Sequence, residues 1–588
     1  VNALTRCPLP ILSLRSGPSC PVFARATLLA AALAAGAAPV LAQSNRGLAG
    51  PYLAARAAIS TNDYEAAARY YARALIRDGR NPELLQNAII AQMGLGNLAR
   101  AEPIARQLQA TGADNQIANL VLVLDRAVRE DWNGVLEDYA AGLSVGPLVD
   151  GLLEAWVLLG TGDAQAAEAA FERVGEETGM PVFGRYHSAL ARALVGDLEA
   201  AEEIFSGAEG ESPLRLTRRG TMARVQVLSQ LDRNDDALAL IAETFGADLD
   251  PALASMRTAL QAGEALPFDM ITSPSDGLAE VFYTVAGALT GEAQSGYTLL
   301  YSRAAEALRP DHVDAMLLSA QLLDQMEQYE LATETYNRVP RSHPAFHAAE
   351  IGRAEALERS GNEAAAIEVL EQLAESHGDQ ASVHVTLGDM LRRLERFAEA
   401  TPAYSRAIDL FTEDRSEHWI VYFARGITYE REDQWPQAEA DFRKALELNP
   451  GQPSVLNYLG YSFIDKEENL EEAMEMIREA VAARPDSGHI VDSLGWGLYR
   501  LGRYEEAVEH MERAAELLPV DPIVNDHLGD VYWAVGRKVE AKFQWNRALS
   551  FDPEPEEAKR IRRKLEVGLD QVLAEEGADG LEVAGEDG

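Results

Sequence analysis

The sequence predicts an all-α protein, a solenoid of about fourteen stacked helix hairpins closed by a C-terminal capping helix. Three observations predict it. A small residue recurs about every 34 positions from Ala67 to Ala541. The composition is 47% hydrophobic but only 7% aromatic, with alanine carrying much of the apolar count, which suits closely packed helices better than sheets. The hairpins and their connections then use up the chain beyond residue 42, so no stretch of roughly 100 residues remains for a separate catalytic domain.

Charge narrows the function. Asp plus Glu is 93 against 52 for Lys plus Arg, a formal net charge of −41. A chain this acidic repels phosphate backbones and anionic lipid, so nucleic acid is not an expected partner. The two cysteines, Cys7 and Cys20, precede every folded-looking segment. Disulfides, structural zinc sites and thiol catalysis are therefore excluded from the body of the protein.

Residues 1–42 hold Arg6, Arg15 and Arg25 and no acidic residue, followed by an uncharged, alanine-rich run. Val40-Leu41-Ala42 fits a small-residue cleavage site, and the whole reads as a secretory signal peptide that sends the chain to the periplasm. The rival readings are an uncleaved membrane anchor and an organellar transit peptide. Pro39 and the Ala/Gly content weaken the anchor, because a span needs about 20 strongly apolar residues. Neither cysteine fits a lipid-attachment site, since Cys20 comes before the apolar run rather than after it.

The ladder runs through Ala67, Ala101, Val135, Ala167, Ala201, Ala237, Thr298, Ala332, Ala366, Ala400, Ala438, Ala473, Ala507 and Ala541. Eight of its steps are 34 residues, and one, from Ala237 to Thr298, is 61. Four residues after a rung comes a large apolar side chain, as at Tyr71, Phe171, Phe205, Tyr404, Phe442 and Trp545; twelve before it comes a glycine, as at Gly388, Gly426, Gly495 and Gly529. Each repeat reads as two antiparallel helices that cross at the small residues, with the aromatic filling space toward the next repeat and a proline such as Pro485 or Pro519 stopping the second helix. Pro103, Pro402 and Pro436 are expected in the first turn of second helices, where proline is tolerated.

The strings SVLNYLGYSFID, VDSLGWGLYRLGRYEEAVEHMERAAELLP and VNDHLGDVYWAVGRKVEAKFQWNRALSFDP resemble tetratricopeptide repeats, with Leu-Gly, an aromatic three later, Ala, an aromatic and Pro in order. The resemblance implies a right-handed superhelix. It is strong over 345–553, moderate over 277–344 and weaker over 51–245. The organisation that follows is a signal peptide at 1–42 and an N-terminal array of about six repeats at 43–245. An interruption at 246–276 comes next, then a C-terminal array of about eight repeats at 277–553, a capping helix at 554–573 and a disordered acidic tail at 574–588. In the interruption Asp250-Pro251 reads as the cap and first residue of a single helix ending near Gly263, and Pro267–Asp276 reads as loop. That segment is either an irregular repeat that kept one helix or a hinge.

No catalytic, cofactor or metal motif is present: there is no His-Glu-x-x-His, no Gly-x-Ser-x-Gly and no phosphate-loop Gly-Lys-Ser/Thr. His347–Glu350 reads as a surface pair and GLGNLA at Gly94 as the turn between two helices of one repeat. An enzyme built into the solenoid remains a third reading, behind two binding functions.

In tetratricopeptide arrays the first helix of each repeat lines an inner groove. Carried over by spacing, the inner positions are Asn457, Tyr458 and Tyr461 in one repeat. Asp492, Trp496, Tyr499 and Arg500 follow in the next, and Asp526, Asp530 and Trp533 in the last. Aromatics flanked by amides and carboxylates suit contact with protein partners or an extended, basic or apolar peptide. The resemblance extends to bacterial envelope proteins of this class, among them the lipoprotein adaptor that delivers cell-wall hydrolases to a carboxyl-terminal processing protease. It implies a non-catalytic periplasmic scaffold with protein partners and no cofactor. The alternative is an assembly factor for envelope polysaccharide or outer-membrane machinery.

Overall fold

The computed structural model describes residues 48–577 except 147–148, 177–180, 208–212 and 247–248, so the expected signal peptide and most of the expected tail lie outside the described residues. Every regular element among the described residues is helical. One compact unit runs to His377 and a second begins at Gly378.

In the first unit, hairpins are formed by α1 (Ala49–Ser60) and α2 (Tyr64–Leu75), α3 (Pro82–Gly94) and α4 (Leu98–Gln109), α5 (Gln116–Val128) and α6 (Trp132–Ala140), α7 (Asp150–Gly160) and α8 (Ala164–Glu176), α9 (Pro181–Leu194) and α10 (Leu198–Ser206), and α11 (Arg218–Gln230) and α12 (Asn234–Phe245). The single helix α13 (Pro251–Gln261) follows, then α14 (Pro274–Leu289) with α15 (Ser295–Leu308), α16 (Val313–Gln325) with α17 (Tyr329–Tyr336), and α18 (Phe346–Arg359) with α19 (Glu363–Ser376). The second unit pairs α20 (Ala381–Arg393) with α21 (Phe397–Asp409), α22 (Trp419–Arg431) with α23 (Trp435–Leu448), α24 (Pro453–Lys466) with α25 (Leu470–Ala483), α26 (Gly488–Arg500) with α27 (Tyr504–Leu517), and α28 (Pro522–Ala534) with α29 (Lys538–Leu549). It ends in α30 (Pro555–Val567) and α31 (Leu569–Glu576). That makes fourteen hairpins among the described residues, the number the ladder predicts.

The ladder works as the spacing demands. All fourteen rungs are buried, Val135 and Thr298 included. On the facing helix the glycine meets the rung's backbone: a Cβ on Gly460 would fall 3.0 Å from the carbonyl oxygen of Ala473, and one on Gly529 would fall 3.2 Å from that of Ala541. The large side chain four residues on is placed differently from the sequence expectation. It lies over the glycine of its own hairpin, Tyr404 on Gly388, Phe442 on Gly426 and Trp545 on Gly529, with only 2.4–2.8 Å to an added Cβ. The absence of a side chain on the first helix is what makes room for the ring on the second. Each such ring, fully buried, contributes on the order of 1.5–3 kcal/mol.

Two proline placements differ from expectation. Pro436 is in the first turn of α23, but Pro103 and Pro402 lie inside α4 and α21, one turn further in. There proline removes an N–H that an interior turn would have used.

The turn joining the two helices of a hairpin carries a residue in the left-handed region. In many hairpins it is glycine, as at Gly96, Gly162, Gly196, Gly361, Gly502 and Gly536; in others it is Asn62, Glu130, Asp232, Glu327, Glu395, Asp433 or Glu467. GLGNLA is such a turn, centred on Gly96.

Asp250 caps α13 through its side chain, accepting from the N–H groups of Ala252 and Leu253. The following loop is shorter than expected, because Ser273 caps α14, which already begins at Pro274. The interruption lies inside the first unit and sends the chain back over its own array. α14 packs on α7 and α9, and α15 packs on α3 and α5. The first helices of hairpins two to five therefore face other helices of the same chain, and one apolar core runs through this region from Leu85 to Ala315. The start of the array joins in: the Tyr64 hydroxyl lies 3.6 Å from Met326 Sδ, and Gln328 Nε2 donates to the Thr61 carbonyl at 3.3 Å. An open inner wall is thus not a feature of hairpins two to five.

The expected single capping helix is two helices. Gly568, at φ +89°, breaks the segment between α30 and α31. It lies under Trp533, where a Cβ would fall 2.6 Å from the indole Cζ2.

Candidate partner-binding surface

The ten residues read from the sequence fall on α24, α26 and α28 of the second unit, as the spacing requires. Their surroundings divide them. Asn457, Tyr458, Asp492, Tyr499, Asp530 and Trp533 are buried; Tyr461, Trp496 and Asp526 are half-buried; Arg500 is exposed. Burial comes from neighbouring helices on either side and, in the last hairpin, from the capping helices.

Tyr458 packs edge-on to Phe423 and tilted against Phe442, and donates its hydroxyl to Glu430 at 3.1 Å. Tyr499 belongs to the apolar core and lies beside Tyr504. Asp492, wholly buried, accepts from His527 Nδ1 at 3.0 Å. The imidazole of His527 stacks on the indole of Trp496 at 3.9 Å and 13°, and that indole stacks on Tyr499 at 4.8 Å and 19°. Burial pushes the His527 pKa down, but the Asp492 carboxylate, its hydrogen bond, and then Asp526 and Asp530 outweigh it, so the pKa is raised.

Asp526 and Asp530 share one ammonium. Lys564 of α30 is fully buried, with its Nζ 2.8–2.9 Å from both oxygens of Asp526 and 2.7 Å from both oxygens of Asp530. Trp545 Nε1 donates to Asp530 Oδ1 at 2.8 Å, and Arg560 adds a longer contact at 3.6 Å. Trp533 donates its indole N–H to Asp570 of α31 at 2.8 Å. The capping helices therefore take up the carboxylates of the last hairpin and cover its tryptophan.

Sequence reasoning missed His527, Arg560 and Lys564. The signal was there: Arg560 follows Asp526, and Lys564 follows Asp530, at the repeat's own interval of 34 residues. Each basic residue occupies in the cap the position its carboxylate holds in the last hairpin.

What stays open to a partner is a strip with the half-buried Tyr461 and Trp496 and the exposed Arg500, the last paired with Glu467 at 2.8 Å. It offers aromatic surface and ions of both signs, which suits side-chain contact with a protein chain. Among the described residues no group of three His, Cys, Asp or Glu side chains can hold a metal ion, and no helix is long and apolar enough to cross a membrane.

Stacked antiparallel hairpins with small residues at the crossing define a helical-repeat protein. Family models for the tetratricopeptide repeat match residues 317–381, 379–450, 423–488 and 492–519, so this stretch is built of tetratricopeptide repeats. A TPR repeat-containing protein of Pseudomonas aeruginosa is 26% identical over 186 residues, 32% of this chain and 31% of the relative. The type IV pilus assembly protein PilF of the same organism is 28% identical over 137 residues, 23% of this chain and 54% of the relative. The chain thus spans about a third of the first relative's length and about half of the second's. Among solved structures, a tetratricopeptide repeat protein from Parabacteroides merdae is 16% identical, with 43% of this chain and 97% of that one covered at a TM-score of 0.36. An APC/C hetero-tetramer is 14% identical, covering 90% of this chain and 97% of that one at a TM-score of 0.36.

Proposed function

We propose that the protein is a non-catalytic scaffold that holds protein partners on the inner face of residues 378–577. The observation that carries this reading is the open strip of Tyr461, Trp496 and Arg500, a half-buried aromatic pair beside an exposed guanidinium on the face tetratricopeptide repeats use for binding. Tetratricopeptide repeats act by binding proteins or peptides, and the strip supplies the residue types that carry such contacts. The same reading includes export to the periplasm through residues 1–42, supported by the basic start, apolar run and small-residue site of that segment. It also includes delivery of substrates such as cell-wall hydrolases to a carboxyl-terminal processing protease, supported by the sequence resemblance alone. A second reading, an assembly factor for envelope machinery, draws support from the likeness to a type IV pilus assembly protein.

Affinity purification of the tagged full chain from envelope extract, read by mass spectrometry, separates the two. Recovery of a processing protease with its substrates supports delivery; recovery of secretion, pilus or polysaccharide-export components supports assembly. Arg500→Glu is the surface variant to run beside it. The residue is exposed and its loss leaves the core untouched, so capture is expected to fall by about tenfold with the melting temperature unchanged. Capture of the same partners in the same amount would remove the inner face from the mechanism.

A further inference from the structure

Where α14 folds back against α9 and α11, the helices leave a cavity of about 410 Å³, within the range that takes a small organic molecule. Much of its wall is apolar, with Phe183 and Val182 from α9, Leu216 just before α11, and Ala288 near the end of α14. Val182 is 49% exposed there, an apolar side chain left facing space.

The charged part of the wall is already satisfied. The buried Glu280 carboxylate receives Arg219 at 2.8 and 3.1 Å and the Tyr186 hydroxyl at 3.0 Å. Arg219 also pairs with Asp314, and Arg218 with Asp250 at 2.8 Å. Some donors in the lining remain unused. Among the described residues the Tyr283 hydroxyl meets no hydrogen-bond partner, and Arg215 is exposed with no ion pair. Both free groups donate, and a guanidinium cannot accept. The complementary ligand has an apolar body and an anionic, acceptor-only head.

We propose that this cavity binds an amphipathic monocarboxylate, a linear acid of about eight carbons, with its carboxylate on Arg215 and Tyr283 and its chain against Phe183, Leu216 and Ala288. The site lies in the first unit and is independent of the inner face of the second.

The test is calorimetric titration of the full chain with octanoate, beside octan-1-ol and octylamine. Octanoate is expected to bind saturably at one site, with the alcohol and the amine at least about tenfold weaker, because neither brings an anion to Arg215. Arg215→Ala is expected to weaken octanoate by about tenfold. Gly287→Leu is the second variant. A Cβ there meets nothing within 4 Å, and leucine is a far better helix former than glycine, so the side chain projects from the cavity wall into the space the ligand would take while the melting temperature holds or rises. Octanoate binding is expected to vanish in it. The proposal is overturned if octanoate does not bind at millimolar concentration, if the alcohol or amine binds as tightly, or if Gly287→Leu binds like the parent protein.

Discussion

Gly277 of α14 lies flat against the indole of Trp156 on α7, so close that a Cβ on the glycine would fall 2.3 Å from Cε3 of the ring. This contact lets the returning helix settle on the first helices of the N-terminal array. Trp156 is fully buried, donates to His187 Nδ1 at 3.2 Å and packs edge-on to Phe171. It cannot swing away without giving up all three neighbours. Gly277→Ala is therefore expected to destabilise the first unit by about 1–3 kcal/mol, since overpacking here meets a locked ring. Chemical denaturation checks it. A cost below about 0.5 kcal/mol would mean that α14 rides loosely on α7.

The return of α14 and α15 is the part of the fold the sequence did not disclose. The ladder is local: Ala400 and Tyr404 sit four residues apart, and their glycine, Gly388, twelve residues before the rung, so spacing alone reveals the hairpin. Gly277 shows in the sequence as one more glycine. Its partner lies on a helix several hairpins earlier, and no period links the two. The inner-face assignment suffered likewise. Spacing put Asp492, Tyr499, Asp530 and Trp533 on the first helices of their hairpins, but their burial depends on neighbouring helices, which spacing does not describe.

Removing the ammonium from the last hairpin gives a second test. Lys564→Met leaves Asp526 and Asp530 side by side with only the longer Arg560 contact, 3.6 Å from Asp530, to offset them. Breaking a buried pair in this way costs about 3–5 kcal/mol, because the charges stay behind. Adding Asp530→Asn is expected to recover part of the loss, since it removes one stranded charge and keeps an oxygen for Trp545 Nε1. A double variant no more stable than the single would show that the repulsion is not what costs stability.

The hairpin turns offer a change in the other direction. Glu395 occupies the left-handed position of the α20–α21 turn at φ +58°, where a side chain is strained. It is exposed and makes no salt bridge among the described residues. Glu395→Gly is expected to stabilise the second unit by about 0.5–1 kcal/mol, despite the greater freedom glycine gives the unfolded chain. A fall in melting temperature would show that the strain is smaller than the entropy lost.

His527 makes the stability of the second unit depend on pH near neutrality. Its imidazole donates to the buried Asp492 carboxylate and lies against Trp496, with Asp526, Asp530, Glu557 and Lys564 among the surrounding charges. Burial alone would favour the neutral ring; the carboxylates win, and the folded pKa stands above the ordinary 6.5. A group whose pKa is raised by folding stabilises through its protonated form. The contribution is complete below about 6.5 and is lost as pH climbs through the higher folded value, where the proton leaves and Asp492 keeps a buried charge without its cation. Melting of the parent protein and of His527→Gln at pH 6 and pH 8 is the measurement. The parent is expected to lose more stability over that interval than the variant, whose amide still donates to Asp492 but does not titrate. Two curves falling in parallel would assign the pH dependence to another group.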